Sequence, residues 1–440
     1  KVEKDPFRLD KNGYPFHQTS EDALTFLKQN HHQPFFLYYA TWLVHTPIHT
    51  RSEQLLEKYC RKLGVEKPKD DRGWTMKGQT NPFYCAMVEE LDYHMGKVFN
   101  YLNNTEDPRW PGHKLSENTY VIFTSDNGGM EGHPGEVITD NYPLDKGKIS
   151  AMEGGTRVPL IITGPGIPKG VESQVMVNGL DFYPTLLTLT KTPKPMGKNL
   201  DGCDLSKLLT HEPNNSDLVR NKHGKPRNSM IWHFPHSVAL ESTIRSGGFK
   251  LIRNYDHKYN PETPELELYQ LYKDVNGKSV RVDIEEANNL VKTMPDKANL
   301  LNKLLSQGLS EMNASFPYYN PRAGRIGKEK KLIPSVTSHQ IASNLVKFKF
   351  SENGAKVIRG DLIYTPNGGA RYEEWYRIKE GNKNGNEISF DLPEGATHYF
   401  LNLIDENNFL VSYPQTPDHS ELSKTKEKFA KYALSVSETP

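Results

Sequence analysis

Residues 119–129 read Thr119-Tyr120-Val121-Ile122-Phe123-Thr124-Ser125-Asp126-Asn127-Gly128-Gly129. The run from Thr119 to Thr124 is apolar at consecutive positions, as expected of a strand buried on both faces. It stops at an acid, an amide and two glycines. Ligand sites in open α/β sheets lie beyond the carboxyl ends of strands, so a site is expected here. Adjacent Asp and Asn offer two hard oxygen ligands, and the glycines let the backbone turn sharply. Taken alone, an Asp-Asn-Gly-Gly sequence after a strand is usually a plain turn.

Two further runs, Pro34–Ala40 (PFFLYYA) and Val158–Thr163 (VPLIIT), read as buried strands of the same kind. A helix is expected around Ala23–Lys28, with Ser20 and Glu21 as capping residues. Between His45 and about Gln79 the chain reads as a charged, cleft-like loop, in which Asp70-Asp71 is a solvated turn. Tyr84, Met87, Val88, Leu91, Met95, Val98 and Leu102 fall at helical spacing. Leu180–Leu189 reads as another helix, with Pro184 in its first turn. Strand–helix alternation of this kind favours a mixed α/β sheet covered by helices.

From Ser229 the pattern changes. Ser242–Arg245, Phe249–Arg253 and Glu267–Leu271 are short strands, with Gly247-Gly248 as a hairpin turn, and Pro295–Leu309 is a helix. That combination predicts a small antiparallel sheet with a covering helix. Pro317–Pro334 reads as a linker. Beyond it, 345–350, 361–364, 374–378, 388–392, 398–404 and 409–413 are short strands, a β-sandwich-like module closed by a helix near Glu421–Ala433. The expected domains are therefore 1–228, 229–316 and 335–440.

Composition excludes several classes. Among 440 residues, 55 Lys and Arg nearly cancel 54 Asp and Glu, for a formal charge of +1. This lacks the electrostatic footprint of a nucleic-acid binder. No apolar run approaches the length of a membrane span. The three cysteines, Cys60, Cys85 and Cys203, have no CxxC spacing and predict neither a disulfide framework nor a zinc ribbon.

In chain order come His45-Thr46-Pro47, Glu90-Leu91-Asp92, Asp126-Asn127, Gly147-Lys148 and Glu153-Gly154-Gly155-Thr156-Arg157-Val158-Pro159. The stretches 179–187 (GLDFYPTLL), 201–205 (DGCDL), 244–252 (IRSGGFKLI) and 267–271 (ELYQL) follow. Together these resemble the sulfatase family within the alkaline phosphatase superfamily, over roughly Pro34 to Leu309. The resemblance implies an alkaline-phosphatase-like α/β core with a second, smaller antiparallel subdomain.

It also implies roles. Asp126 and Asn127 match the pair that supplies half of the ligands to calcium. Lys148 matches the lysine on a sulfate oxygen, where a compact ammonium suits an anion. His45 matches the histidine near the leaving oxygen, placed as a general acid. Lys146 reads as a solvated loop residue, and Glu153 with Arg157 as an internal ion pair supporting the loop. Trp232-His233-Phe234-Pro235-His236 offers histidines and aromatics to a cleft rim, or else is an ordinary core strand. His133 is a further candidate contact. The expected partner is a sulfated polysaccharide or oligosaccharide, and the expected location periplasmic or secreted.

One departure stands out. Sulfatases use a formylglycine made within a C/S-x-P/A-x-R motif, and no cysteine or serine here begins one: Cys60 is followed by RKLG, Cys85 by AMVE, Cys203 by DLSK. The expectation is a C-terminal portion of a longer protein, its core completed by an N-terminal segment. Phe35–Tyr39 and Val121–Phe123 should then show exposed apolar faces. The competing readings are a phosphodiesterase or phosphonate hydrolase of the same superfamily, and a non-catalytic glycan-binding homologue.

Overall fold

The computed structural model describes residues 8–68, 80–131, 139–235, 239–323, 327–417 and 427–437. Internal contacts divide the chain into two units, 1–253 with 266–312, and 254–265 with 313–440.

The first unit opens with α1 (Gln18–Asn30), capped at His17. Ser20 is not its cap: it lies buried inside the helix, with its hydroxyl 2.7 Å from His17 Nδ1. The charged stretch after His45 is not all loop. It contains α2 (Glu53–Leu63), started by Ser52, whose hydroxyl accepts the Leu55 N–H, and stopped by Gly64 at φ 67°. Leu55, Leu56 and Cys60 give α2 its buried face. α3 (Pro82–Asn104) starts at Asn81, whose side chain accepts the Phe83 and Tyr84 N–H groups. Pro82 sits at the first helical position, where its missing N–H has no partner to lose.

Pro34–Ala40 is not a strand. It is extended but pairs with no strand among the described residues. Phe35, Leu37 and Tyr39 pack on a cluster of Leu24, Leu27, Val98, Leu102 and Leu115. The alternate side chains face outward, with Phe36 71% and Tyr38 82% exposed. A run that is apolar on both sides needs a packed layer on each, and the described residues supply one.

β1 (Val121–Thr124) pairs antiparallel with β2 (Leu160–Thr163), Phe123 opposite Ile161. Both are only half-buried, and Ile161 is exposed. The expected mixed sheet is thus a two-stranded antiparallel ladder, with the short α4 (Glu153–Thr156) just ahead of β2. α5 (Phe182–Leu189) and α6 (Ser206–Thr210) follow.

The antiparallel subdomain is a four-stranded sheet of β3 (Ser229–Phe234), β4 (Glu241–Ser246), β5 (Phe249–Asn254) and β6 (Leu266–Gln270), in that spatial order. Gly247 and Gly248 join β4 to β5 as expected. β7 (Tyr272–Val275) and β8 (Lys278–Arg281) make a separate hairpin, and α7 (Pro295–Glu311) packs against β4 and β6 through Leu301, Leu305 and Leu309.

The second unit carries two antiparallel sheets. One runs β13 (Asn382–Asn384), β14 (Glu387–Asp391), β10 (Leu345–Ser351), β9 (Ser335–Ala342). The other runs β12 (Tyr376–Ile378), β11 (Val357–Thr365), β15 (His398–Asp405), β16 (Leu410–Tyr413), with β17 (Leu434–Ser435) also on β15. Phe348, Phe350 and Phe390 from the first meet Leu362, Tyr399, Leu401 and Leu403 from the second in one core. Residues 421–426 of the expected closing helix lie outside the described residues; Phe429–Tyr432 forms a single 3-10 turn instead.

Two buried groups in the first unit give testable consequences. Asp181, fully buried, accepts both arms of Arg227 at 2.7 and 2.8 Å and also the Cys203 N–H at 2.8 Å. Arg227→Ala strands that carboxylate, so urea denaturation is expected to show a loss of about 3–5 kcal/mol; a loss below about 1 kcal/mol would contradict the pairing.

Glu90, on α3, is 5% exposed and accepts the Thr50 hydroxyl. Burial pushes its carboxyl up from 4.5 to about 7, although Thr50 and Arg51 pull it down. The folded value exceeds the unfolded one, so protonated Glu90 stabilises the fold below pH 4.5 and that contribution is lost as pH rises through 7. Glu90→Gln stays neutral throughout. Its stability relative to the native chain is expected to climb between pH 5 and 8 by up to about 3 kcal/mol, and a flat difference would refute the shift.

Candidate functional site

The site begins where two backbones touch. The Gly128 N–H donates to Gly155 O at 3.0 Å, and the Lys148 N–H donates to Gly129 O at 2.8 Å. Such closeness excludes side chains. A Cβ on Gly128 would lie 1.6 Å from Gly154 O, and one on Gly147 would lie 2.0 Å from Gly129 O. The glycines of the two motifs are therefore interlocked, and they bring the turn after β1 against the loop that carries Lys148. The Asn141 side chain adds bonds to Gly129 O and Lys146 O, at 3.1 and 2.9 Å. On either side of Gly147-Lys148 the backbone is left-handed, with φ 53° at Lys146 and 70° at Ile149. For a β-branched residue that is a strained conformation, held only because the surroundings over-determine it.

His45 and Lys148, 103 positions apart, meet directly: Lys148 Nζ lies 3.1 Å from His45 Nε2. His45 Nδ1 is 3.3 Å from Thr46 O. These contacts assign the proton to Nδ1, donated to the carbonyl, which leaves Nε2 to accept from the ammonium. The Trp42 ring stands edge-on to His45 at 5.1 Å and donates its indole N–H to Thr46 O at 2.9 Å, which orients the imidazole. His45 is exposed, and it lines a cavity of 780 Å³ with His49, Arg51, Met87 and Glu90.

Asp126 and Asn127 occupy the turn. Asp126 Oδ1 accepts the Asn127 N–H at 2.9 Å, and Asn127 Nδ2 donates to Gly128 O at 2.9 Å. The Asp126 carboxylate is exposed. A carboxylate and a carboxamide are the oxygen donors that suit a hard cation such as calcium. Among the described residues, no group of three His, Cys, Asp or Glu side chains is placed to hold a metal ion. The pair fits part of a calcium shell, short of the six to eight oxygens that the ion takes.

Glu153 is nearly inaccessible and sits among three cations: Arg157 at 2.9 Å, Lys250 at 3.2 Å and Arg245 at 3.5 Å. Burial raises its carboxyl, but Lys250, Arg245 and Arg157 outweigh that and hold it below its ordinary value. Lys250 is completely buried and also pairs with Glu286 at 2.8 Å. Arg157 further donates to the Tyr272 hydroxyl at 2.9 Å. The pairing expected for Glu153 and Arg157 is one edge of a larger cluster. Its other members lie in or beside the antiparallel sheet and escaped the sequence reading. Their single signal was Lys250, a charge at an inward position between apolar strand neighbours.

His233 lies on β3, with Nδ1 2.6 Å from the hydroxyl of its cross-strand neighbour Ser242. Trp232, His233 and Phe234 are all strand residues. His133 and His236 lie outside the described residues.

The Sulfatase family profile matches residues 3–192, and that of the N-sulphoglucosamine sulphohydrolase C-terminal region matches residues 146–304. A protein named Sulfatase from Formosa agariphila is 32% identical over 312 residues, covering 68% of this chain and 50% of that protein. N-acetylgalactosamine-6-sulfatase of Canis lupus familiaris is 31% identical over 188 residues, covering 42% of this chain and 30% of its own. N-acetylgalactosamine-6-O-sulfatase of Bacteroides thetaiotaomicron is 26% identical over 298 residues, covering 64% and 48%. The chain spans half or less of the length of these three curated relatives. With glycine-locked Asp-Asn and Gly-Lys motifs and matches that together run from residue 3 to residue 304, the chain belongs to the type I sulfatase family of the alkaline phosphatase superfamily.

Proposed function

We propose that the chain forms the sulfate-gripping part of a sulfuric ester hydrolase acting on a sulfated polysaccharide or oligosaccharide. The observation that carries this reading is the 3.1 Å approach of Lys148 Nζ to His45 Nε2 beside the Asp126-Asn127 turn. A sulfate ester is a small, delocalised anion. It needs a fixed positive charge on its oxygens and a proton for the departing alcohol. Lys148 supplies the first. His45, held by Thr46 O and Trp42, has Nε2 aimed at the same point; it would supply the second as the imidazolium, with Nε2 protonated and turned to the leaving oxygen once sulfate takes the Lys148 ammonium.

Asp126 and Asn127 would hold calcium, with further ligands, and the ion would add positive charge beside the sulfate oxygens. Attack on sulfur is assigned to a formylglycine, which requires a C/S-x-P/A-x-R motif that these 440 residues do not contain. The names of two relatives, which act on N-acetylgalactosamine 6-sulfate by their titles, support a sulfated amino sugar within the substrate. A periplasmic or secreted location follows from such a substrate. Among the described residues no helix is long and apolar enough to cross a membrane.

Sulfate release from sulfated oligosaccharides, followed by ion chromatography, tests this reading. Turnover is expected when the motif-bearing segment accompanies these residues, and Lys148→Ala is expected to lower kcat by about 10²–10³. Near-native turnover by that variant would remove Lys148 from the chemistry.

A further inference from the structure

We infer that two carboxylates of the antiparallel subdomain, Glu241 and Glu286, are positioning residues that set Lys148 against His45. The inference rests on the reading of Lys148 as the sulfate-binding cation. Between Leu144 and Met152 the loop has no regular secondary structure, yet it contains two left-handed residues, Lys146 and Ile149, flanking Lys148. A strained segment keeps its shape only when clamped at both ends. At one end the clamp is the backbone contact with Gly129. The other end is held from the sheet.

Glu241 Oε1 accepts the Ala151 N–H at 2.6 Å, and Glu286 Oε2 accepts the Glu153 N–H at 2.6 Å. These are charge-assisted bonds to two amides three and five residues beyond Lys148, one at the end of the loop and one at the first residue of α4. Glu286 is itself fixed by Lys250, which bridges it to Glu153. Ala151 and Met152 meanwhile pack on Ile252, Tyr269, Leu271 and Ile284, so the apolar and polar contacts act at the same point. Burial raises both carboxyls, Glu241 and Glu286, against the cations near them. Keeping two such groups at two loop amides has a desolvation cost that a solvent-facing loop would avoid. Three residues of chain reach about 10 Å at most, so release of Ala151 lets the Lys148 ammonium move by several ångströms from His45.

The test uses the 440-residue chain, backbone amide exchange followed by NMR, and titration with inorganic sulfate at low ionic strength. In Glu241→Ala, exchange at both Ala151 and Lys148 is expected to accelerate about tenfold, and sulfate affinity to fall by a similar factor, with the thermal midpoint nearly unchanged. Glu241→Gln keeps an acceptor oxygen and should restore most of both. If Ala151 exchange accelerates while Lys148 exchange and sulfate affinity stay native, Glu241 is merely structural and the inference fails. If the native chain binds no sulfate but the exchange pattern appears as expected, positioning stands and the sulfate reading fails. Should Glu241→Ala not fold, Glu241→Asp shortens the reach by one methylene and carries the same outcomes.

Discussion

The structure around the site depends on one contact that only glycine permits, the meeting of the 126–129 turn with the 145–155 loop. Gly128 and Gly155 share a backbone hydrogen bond, as do Gly129 and Lys148; a Cβ on Gly128 or Gly155 would overlap a carbonyl oxygen, and one on Gly129 would overlap the Thr139 side chain. Everything chemical hangs from this seam. The turn offers Asp126 and Asn127, the loop offers Lys148, and His45 arrives from a third segment to complete the group. The seam also explains why the loop tolerates Ile149 in a left-handed conformation: neighbours on both sides hold it there.

Behind the seam lies an unusual concentration of buried charge. Glu153, Glu286 and Lys250 are all inaccessible, with Arg157 and Arg245 at the edge. Such clusters rarely add net stability, because desolvation of each ion offsets the attraction. They do impose geometry, since each charge has few acceptable partners. Here the partners come from the loop on one side and the antiparallel sheet on the other, which makes the small subdomain part of the site's framework. The Arg227–Asp181 pair plays the same part for α5 and the 201–205 stretch.

Much of this was legible in the sequence, for identifiable reasons. Val121–Thr124 and Leu160–Thr163 carried dense apolar runs, and α3 and α7 carried clear helical periods, so each was found nearly at its true bounds. His45, Asp126 and Lys148 were marked by motif context, and the first and last of these do meet. Other features were not legible. α2 hid in a charged stretch because its buried stripe is only Leu55, Leu56 and Cys60, and its caps, Ser52 and Gly64, were the readable signal. Pro34–Ala40 has the composition of a buried strand, but pairing depends on a neighbour that local sequence does not reveal. Lys250 and Glu286 look like ordinary surface charges until the fold places them face to face. Ser20, a good capping residue by type, lies inside α1, where its hydroxyl meets His17 and the Tyr39 hydroxyl instead of a helix-end amide.

The central claim is that Lys148 and His45 grip a single sulfate. Crystals of the chain soaked with a sulfated oligosaccharide test it most directly. The expected result is a sulfate ester with one oxygen within hydrogen-bond distance of Lys148 Nζ and its bridging oxygen facing His45 Nε2, beside the Asp126-Asn127 turn. A sulfate bound elsewhere, with the Lys148–His45 contact unchanged, would contradict it.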